Sequence, residues 1–298
     1  MSNSPSPVFG LGQCTMDYLG SVEAYPPSDV KCEFTGLVVQ GGGPVGTALT
    51  ALSRWGLCGY IAGVVGDDPF GPAIAESLRA EGIDTGGLVV RKGKASQFAF
   101  IVSEASRGSR TIFWRRPTGG PLKPADLDCG VLSKSRVLHT DGLFAEAALY
   151  ACRKARQAGI PVVVDAGTLR EGMLELVPLS DWFVVSEVFS KALAEDPLET
   201  CRILAGRGGR YVGVTLGAKG YVAQVDGRTI VRPAYRVQTV DTTGCGDVFH
   251  AGLTYGLTQG WPPEKCLDLG AWAAAEVSTQ MGGRKGIPSR QALAAKGF

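Results

Sequence analysis

The run Val240-Asp241-Thr242-Thr243-Gly244-Cys245-Gly246-Asp247-Val248-Phe249-His250-Ala251-Gly252 concentrates the residue types that handle a phosphate. Gly244 and Gly246 carry no Cβ, so consecutive backbone N–H groups around them can converge on one point. If a helix starts at about Cys245, its unpaired N–H groups and the positive end of its dipole face that same point. Gly244, Cys245 and Gly246 would then form an anion hole suited to a phosphoryl group in transfer. Asp247 falls in the first turn, where its carboxylate could take the proton of a hydroxyl approaching the same spot. A bare Gly-x-Gly is a common helix entry, so the signal lies in the whole string.

The rest of the chain must position that string. Its 298 residues suffice for one large α/β domain or two ordinary ones, with enough apolar content for a sizeable core. A net charge of +2 without a long basic run gives no reason to expect a nucleic-acid partner. Two histidines leave little room for a histidine-based metal site. The eight cysteines are scattered, with no C-x-x-C pair, which suits free thiols in a reducing compartment. Residues 1–7 are polar and rich in Ser and Pro, unlike a signal peptide, and no apolar run approaches the ~20 residues of a membrane span. A soluble, cytoplasmic protein is the expectation.

Short β-rich runs alternate with helical segments, which predicts a mainly parallel sheet flanked by helices. Strands are expected at Val8–Leu11, Gly59–Val65, Val137–His139, Pro161–Asp165, Trp182–Val185 and Tyr211–Leu216. Helices are expected at Thr47–Trp55, Phe70–Glu81, Asp247–Thr258 and from Pro263 to about Ser278. Two regions break the rhythm. Lys31–Gln40 reads as a strand, and Gln97–Trp114 as a hairpin turning at Ser106-Arg107-Gly108-Ser109. Together they predict a small lid sheet, residues 13–40 and 94–118, beside an α/β domain of residues 1–12, 41–93 and 119–298.

Four segments, in order, resemble the ribokinase-like or PfkB carbohydrate kinases. The opening run resembles the family's D-T-x-G-A/C-G-D signature, and Gly41-Gly42-Gly43-Pro44-Val45-Gly46-Thr47-Ala48 its G-G-x-x-x-N-x-A element. Val65-Gly66-Asp67-Asp68-Pro69-Phe70-Gly71 resembles V-G-x-D-x-x-G, and Thr215-Leu216-Gly217-Ala218-Lys219-Gly220 the nucleotide segment T-x-G-x-x-G. The resemblance implies a doubly wound α/β fold with a β lid, ATP and Mg2+ as cofactors, and in many members a homodimer through the lid.

It also implies roles for single residues. Asp247 becomes the general base, with the backbone of Gly244, Cys245 and Gly246 as anion hole and no role for the Cys245 thiol. Arg110 resembles a lid arginine reaching the phosphates; a solvated hairpin arginine is the other reading. Thr215, Gly217 and Gly220 would line the nucleotide. Asp17, Gly42 and Gly43 would hold the sugar, and Asp29 and Asp141 are further sugar candidates, with turn or cap roles as alternatives.

The departures are specific. Where the family often has N-x-x-E for the magnesium environment, this chain reads Ser186-Glu187-Val188-Phe189, leaving Glu187 or Asp165 to act through water. A monovalent cation such as K+ is implied near Asp241, Thr243 and the loop from Gly282 to Gly286. The family's Asn is Gly46 here. Phe113-Trp114-Arg115-Arg116 resembles an aromatic-aromatic-Arg run of acid-sugar kinases, so Arg115 is the candidate partner for an acidic substrate, with lid-edge packing and charge that blocks strand pairing as the other reading. The expected reaction is ATP-dependent phosphorylation of a hydroxymethyl group on a small sugar or sugar acid. A nucleoside kinase and a catalytically idle nucleotide-binding interaction protein are the alternatives.

Overall fold

In a computed structural model of the chain, residues 7–104, 106 and 109–298 are described. Residues 1–6 and 105, and Arg107 and Gly108 of the expected turn at 106–109, lie outside that set. The large sheet has nine strands in the order β13-β12-β11-β10-β9-β8-β1-β4-β5. Its central members are β1 (Val8–Leu11), β4 (Gly59–Gly66), β8 (Val137–Thr140), β9 (Val162–Ala166), β10 (Trp182–Ser186) and β11 (Tyr211–Thr215). These run parallel and are buried on both faces, which is why they read as unbroken apolar runs instead of alternating ones. At one edge lies β5 (Asp84–Arg91), parallel to β4. At the other, β12 (Tyr221–Val225) and β13 (Arg228–Arg232) form an antiparallel hairpin.

A second sheet of four strands has the order β3-β2-β6-β7. It comprises β2 (Thr15–Val22), β3 (Gly36–Gly42), β6 (Phe98–Glu104) and β7 (Ser109–Arg115). The expected strand at Lys31–Gln40 therefore starts later, at Gly36. The stretch before it is irregular and includes Asp29 in the left-handed region, φ 64°.

Helices pack on both faces of the large sheet: α1 (Pro44–Arg54), α2 (Phe70–Arg79), α3 (Cys129–Leu132), α4 (Ala145–Gln157), α5 (Glu187–Leu193), α6 (Pro197–Gly206), α7 (Cys245–Thr258), α8 (Pro263–Val277) and α9 (Arg290–Lys296). Helix α1 begins three residues before the expected Thr47, because Pro44 is suited to a first helical turn. Among the described residues no helix is long and apolar enough to cross a membrane.

The first strand, β1, lies in mid-sheet between β4 and β8, so the strand order diverges there. Ligands of doubly wound sheets bind at the carboxyl ends of strands beside such a switch point. Helix α7 is aimed at that place, and its depth is set by glycines. A Cβ on Gly252 would lie 2.5 Å from Gly270 Cα in α8, so the helices touch through bare backbone. Gly252→Val is expected to force them apart and lower unfolding free energy by about 1–3 kcal/mol, measured by urea denaturation.

Candidate active site

Gly244 caps α7 with φ 78°, and a Cβ there would lie 2.6 Å from Gly283 Cα. Both conditions require glycine. The N–H groups of Gly244, Gly246 and Asp247 meet no acceptor among the described residues, whereas Cys245 N–H makes only a long contact, 3.4 Å, to Thr242 O. Free donors at a helix start are what an anion needs. Burial pushes the Cys245 thiol up to about 12, so it remains protonated and poorly nucleophilic. His250 pins this first turn to the sheet: Nδ1 lies 2.8 Å from Gly246 O and Nε2 3.1 Å from Val184 O.

The turn before α7 is tied down by Asp241. Its Oδ1 accepts bonds from Thr243 N–H at 2.9 Å and Thr243 Oγ1 at 2.8 Å, and its Oδ2 accepts from Gly282 N–H at 2.9 Å. The carboxylate is thus occupied in joining two loops.

Two cavities, of about 590 and 260 Å³, open on either side of Asp247, which lines both. Burial, reinforced by the charges of Asp165, Asp17 and Asp141 and offset by Arg110, pushes the Asp247 carboxyl up to about 8. The larger cavity lies under the small sheet. Asp17 lines it, buried, and accepts a bond from Thr15 Oγ1 at 2.5 Å. A side chain on Gly42 would collide with the Asp17 carboxylate, and Gly43 (φ 84°) lines the wall. Asp29 does not join them; it is exposed in its turn and lines neither cavity. Beside Gly46 the buried Arg284 approaches, its Nη2 3.3 Å from where a Cβ would stand.

Strand β7 sends Arg110, Ile112 and Trp114 into the larger cavity, and Arg116 follows them. Side chains of a strand alternate, so Arg115 points away. It pairs with Asp68 Oδ2 at 3.2 Å and lies over the Phe98 ring at 5.3 Å. This corrects the sequence expectation: Arg116, stacked 4.8 Å from the Trp114 ring centroid, is the arginine that faces the cavity. Arg110 lines both cavities and donates to Thr242 Oγ1 beside the α7 turn.

The smaller cavity collects Asp141, Asp165, Ser186, Thr215 and His250. Asp141 Oδ2 accepts from Gln13 N–H at 2.8 Å and Oδ1 from Leu143 N–H at 2.9 Å, tying the ends of β1 and β8 together. Burial first, then the Asp165 charge, push Asp141 up to about 6 against these bonds. Asp165 Oδ2 is buried without a hydrogen bond, 3.4 Å from His250 Nδ1. Gly217 (φ 57°) and Gly220 (φ 96°) shape the turn after β11, outside both cavities. Glu187 is also outside, held by Lys191 at 3.1 Å and Lys219 at 3.5 Å, with its carboxyl lowered chiefly by Lys191. Ser186 instead caps α5, accepting from Phe189 N–H at 3.1 Å. Among the described residues no group of three or more His, Cys, Asp or Glu is placed to hold a metal ion.

Gln13 and Arg170 escaped the sequence reading, and Arg116 was passed over for its neighbour Arg115, although all three line the site. Arg170 had a legible signal, a lone cation in a Gly-Thr loop just after a strand end.

Comparison with known proteins decides the family. The pfkB family carbohydrate kinase model matches residues 7–290. This chain belongs to that family and is a sugar kinase. It is similar to fructokinase-1 of Oryza sativa subsp. japonica, 30% identical over 85% of this chain and 83% of the relative. An Agrobacterium tumefaciens protein provisionally assigned as a ribokinase superimposes with TM-score 0.91 at 26% identity, covering 98% and 97% of the two chains. Arabidopsis thaliana ribokinase, solved with ribose and ATP, superimposes at TM-score 0.82 and 20% identity over 98% of each chain. The PfkB kinase fold, a mostly parallel nine-stranded sheet with a smaller four-stranded one, agrees with the sequence expectation.

Two outcomes follow from the crowded carboxylates. An Asp whose carboxyl is raised from about 4 when unfolded to about 8 when folded destabilises the folded state progressively as pH rises through that window. Asp247→Asn should therefore raise Tm relative to the parent at pH 8 and leave it nearly unchanged at pH 4.5, in pH-dependent thermal melts. Gly42→Ala should displace Asp17 and raise KM for the sugar while ATP affinity, measured by calorimetry, stays as it was.

Proposed function

We propose that this kinase transfers the γ-phosphoryl group of ATP to a hydroxymethyl group of a small sugar or sugar acid. The observation that carries this reading is Asp247 at the junction of the two cavities, beside the free N–H groups of the α7 turn. The larger cavity takes the sugar against Asp17, Gly42 and Gly43, closed over by the small sheet as a lid. The smaller takes the nucleotide phosphates, with Thr215 at its wall and the turn through Gly217 and Gly220 beyond.

In an in-line transfer the accepting oxygen bonds to the γ-phosphorus as the bond to the bridging oxygen of ADP breaks. Asp247 takes the hydroxyl proton, help worth ~10²–10⁴-fold. Gly244, Cys245 and Gly246 supply backbone N–H groups to the phosphoryl oxygens, and Arg110 approaches them from the lid. Asp165, with a buried carboxylate oxygen lacking a hydrogen bond, fits a Mg2+ arriving on the nucleotide, reached directly or through water; that ion would neutralise phosphate charge. Asp241 already accepts three bonds from protein donors, so a K+ beside it would rely mainly on carbonyl oxygens.

Arg116, on the cavity face, suits an acidic group on the sugar. Trp114 is half exposed in the same cavity, the one observation that favours a nucleoside base there instead. The outer lid leaves Leu37, Val39 and Phe113 about half exposed, which supports pairing of two lids in a homodimer.

A screen with ATP over neutral sugars, sugar acids, sugar phosphates and nucleosides, read by ADP release, should find turnover of a sugar or sugar acid; turnover of nucleosides alone would replace this reading with the base-binding one. Asp247→Asn should lose at least ~10²-fold in kcat. With an ordinary Asp247, kcat/KM should fall as pH is lowered below about 8, because the empty site then binds a proton on the base. Arg116→Ala should raise KM for an acidic sugar at least ~10-fold, the loss of one charge-assisted contact, while Arg115→Ala leaves it near the parent value.

A further inference from the structure

Six residues line both cavities: Gln13, Pro44, Arg110, Arg170, Gly244 and Asp247. A phosphoryl group passing from nucleotide to sugar has to cross the seam that these residues share. Two of them are cations, and they differ in state. Arg110 comes from the lid sheet and is already bonded to Thr242 Oγ1. Arg170 stands on the base, in the loop after β9, exposed; its carbonyl accepts from Met173 N–H, but its guanidinium has no hydrogen bond or ion pair among the described residues. Its field reaches the seam, since it offsets the burial that raises both Asp141 and Asp165.

The acidic groups around the seam favour a second protein cation there. Asp141, Asp165 and Asp247 all line the smaller cavity, where a triphosphate also has to sit. Each of these groups repels a phosphoryl group once it is ionised, and Arg110 reaches the seam only from the small sheet. We propose that Arg170 is a catalytic residue, its guanidinium contacting the γ-phosphoryl oxygens from the base while Arg110 contacts them from the lid.

This rests on the kinase reading above. In the step itself the acceptor oxygen–phosphorus bond forms and the phosphorus–bridging oxygen bond breaks. The proton goes to Asp247, and the electron pair of the broken bond stays on ADP. Arg170 exchanges no proton; it balances charge on the three equatorial oxygens as they separate from both partners.

The test compares the parent with Arg170→Ala and Arg170→Lys in the full chain, using calorimetric affinity for ADP and for a β,γ-imido analogue of ATP alongside kcat on whichever sugar the parent phosphorylates. Arg170→Ala should lose ~10²-fold or more in kcat, short of the ~10³–10⁵-fold of a sole arginine on a transferring phosphoryl because Arg110 remains. It should bind the ATP analogue at least tenfold more weakly while ADP affinity holds. Added guanidinium ion should recover part of kcat, which a purely structural role would not allow, and Arg170→Lys should fall between. Unchanged kcat with an unchanged ATP-to-ADP affinity ratio would overturn the proposal. So would a raised sugar KM with that ratio intact, which places Arg170 on an acidic substrate instead. If the parent phosphorylates none of the compounds, the kinase reading fails, and the affinity ratio alone still decides whether Arg170 meets the γ-phosphoryl.

Discussion

Backbone contact between glycines sets the position of α7, and most of the site hangs on that helix. Gly244 meets Gly283 and Gly252 meets Gly270 at distances that exclude a Cβ on Gly244 or Gly252. The first contact brings the capping turn against the loop from Gly282 to Gly286, and the second sinks the helix onto α8. Asp241 and His250 add hydrogen bonds at the same end, to Gly282 N–H and to the Val184 carbonyl. The result is a helix start with free N–H groups beside the strand ends at β1 and β8. Small displacements there would matter, because groups that stabilise a transition state act through geometry fixed in advance.

The same compactness crowds acidic groups. Burial raises Asp247, Asp141 and Asp165 together, and like charge adds to it at Asp247 and Asp141, a condition unfavourable to the empty protein. An arrangement of this kind is tolerable where cations arrive with the ligand or stand opposite, as Arg110 and Arg170 do. It also explains why stability and activity should respond to Asp247→Asn in opposite directions.

Much of this was legible in the chain. The buried parallel strands announced themselves as apolar runs, and the α7 turn as glycines ahead of a carboxylate. What escaped had weaker local marks. Strand β5 contains Gly86 and Gly87, which dilute a strand pattern, and β2 mixes glycine and polar residues that make sense only between β3 and β6. The β12–β13 hairpin carried a readable signal in Asp226-Gly227, both at positive φ. At the site, the error at Arg115 has the simplest cause. Adjacent arginines on a strand face opposite sides, and the register that sends Arg110, Ile112 and Trp114 inward also sends Arg116 inward. Likewise Asp29 is near Asp17 in sequence but sits in a turn that the strand pairing leaves outside. Which lid residues face the cavity is a matter of pairing across the sheet, and sequence order alone does not fix it.

The proposed transfer requires the α7 turn to hold the phosphoryl group while Asp247 receives the acceptor hydroxyl. A crystal structure of the protein with a β,γ-imido analogue of ATP and a phosphorylatable sugar tests this most directly. The terminal phosphoryl oxygens are expected within hydrogen-bond distance of the N–H groups of Gly244 to Gly246. The accepting hydroxyl is expected against an Asp247 oxygen, with the rest of the sugar beside Asp17. A terminal phosphate bound away from that turn, or a sugar whose hydroxyls leave Asp247 untouched, would contradict it.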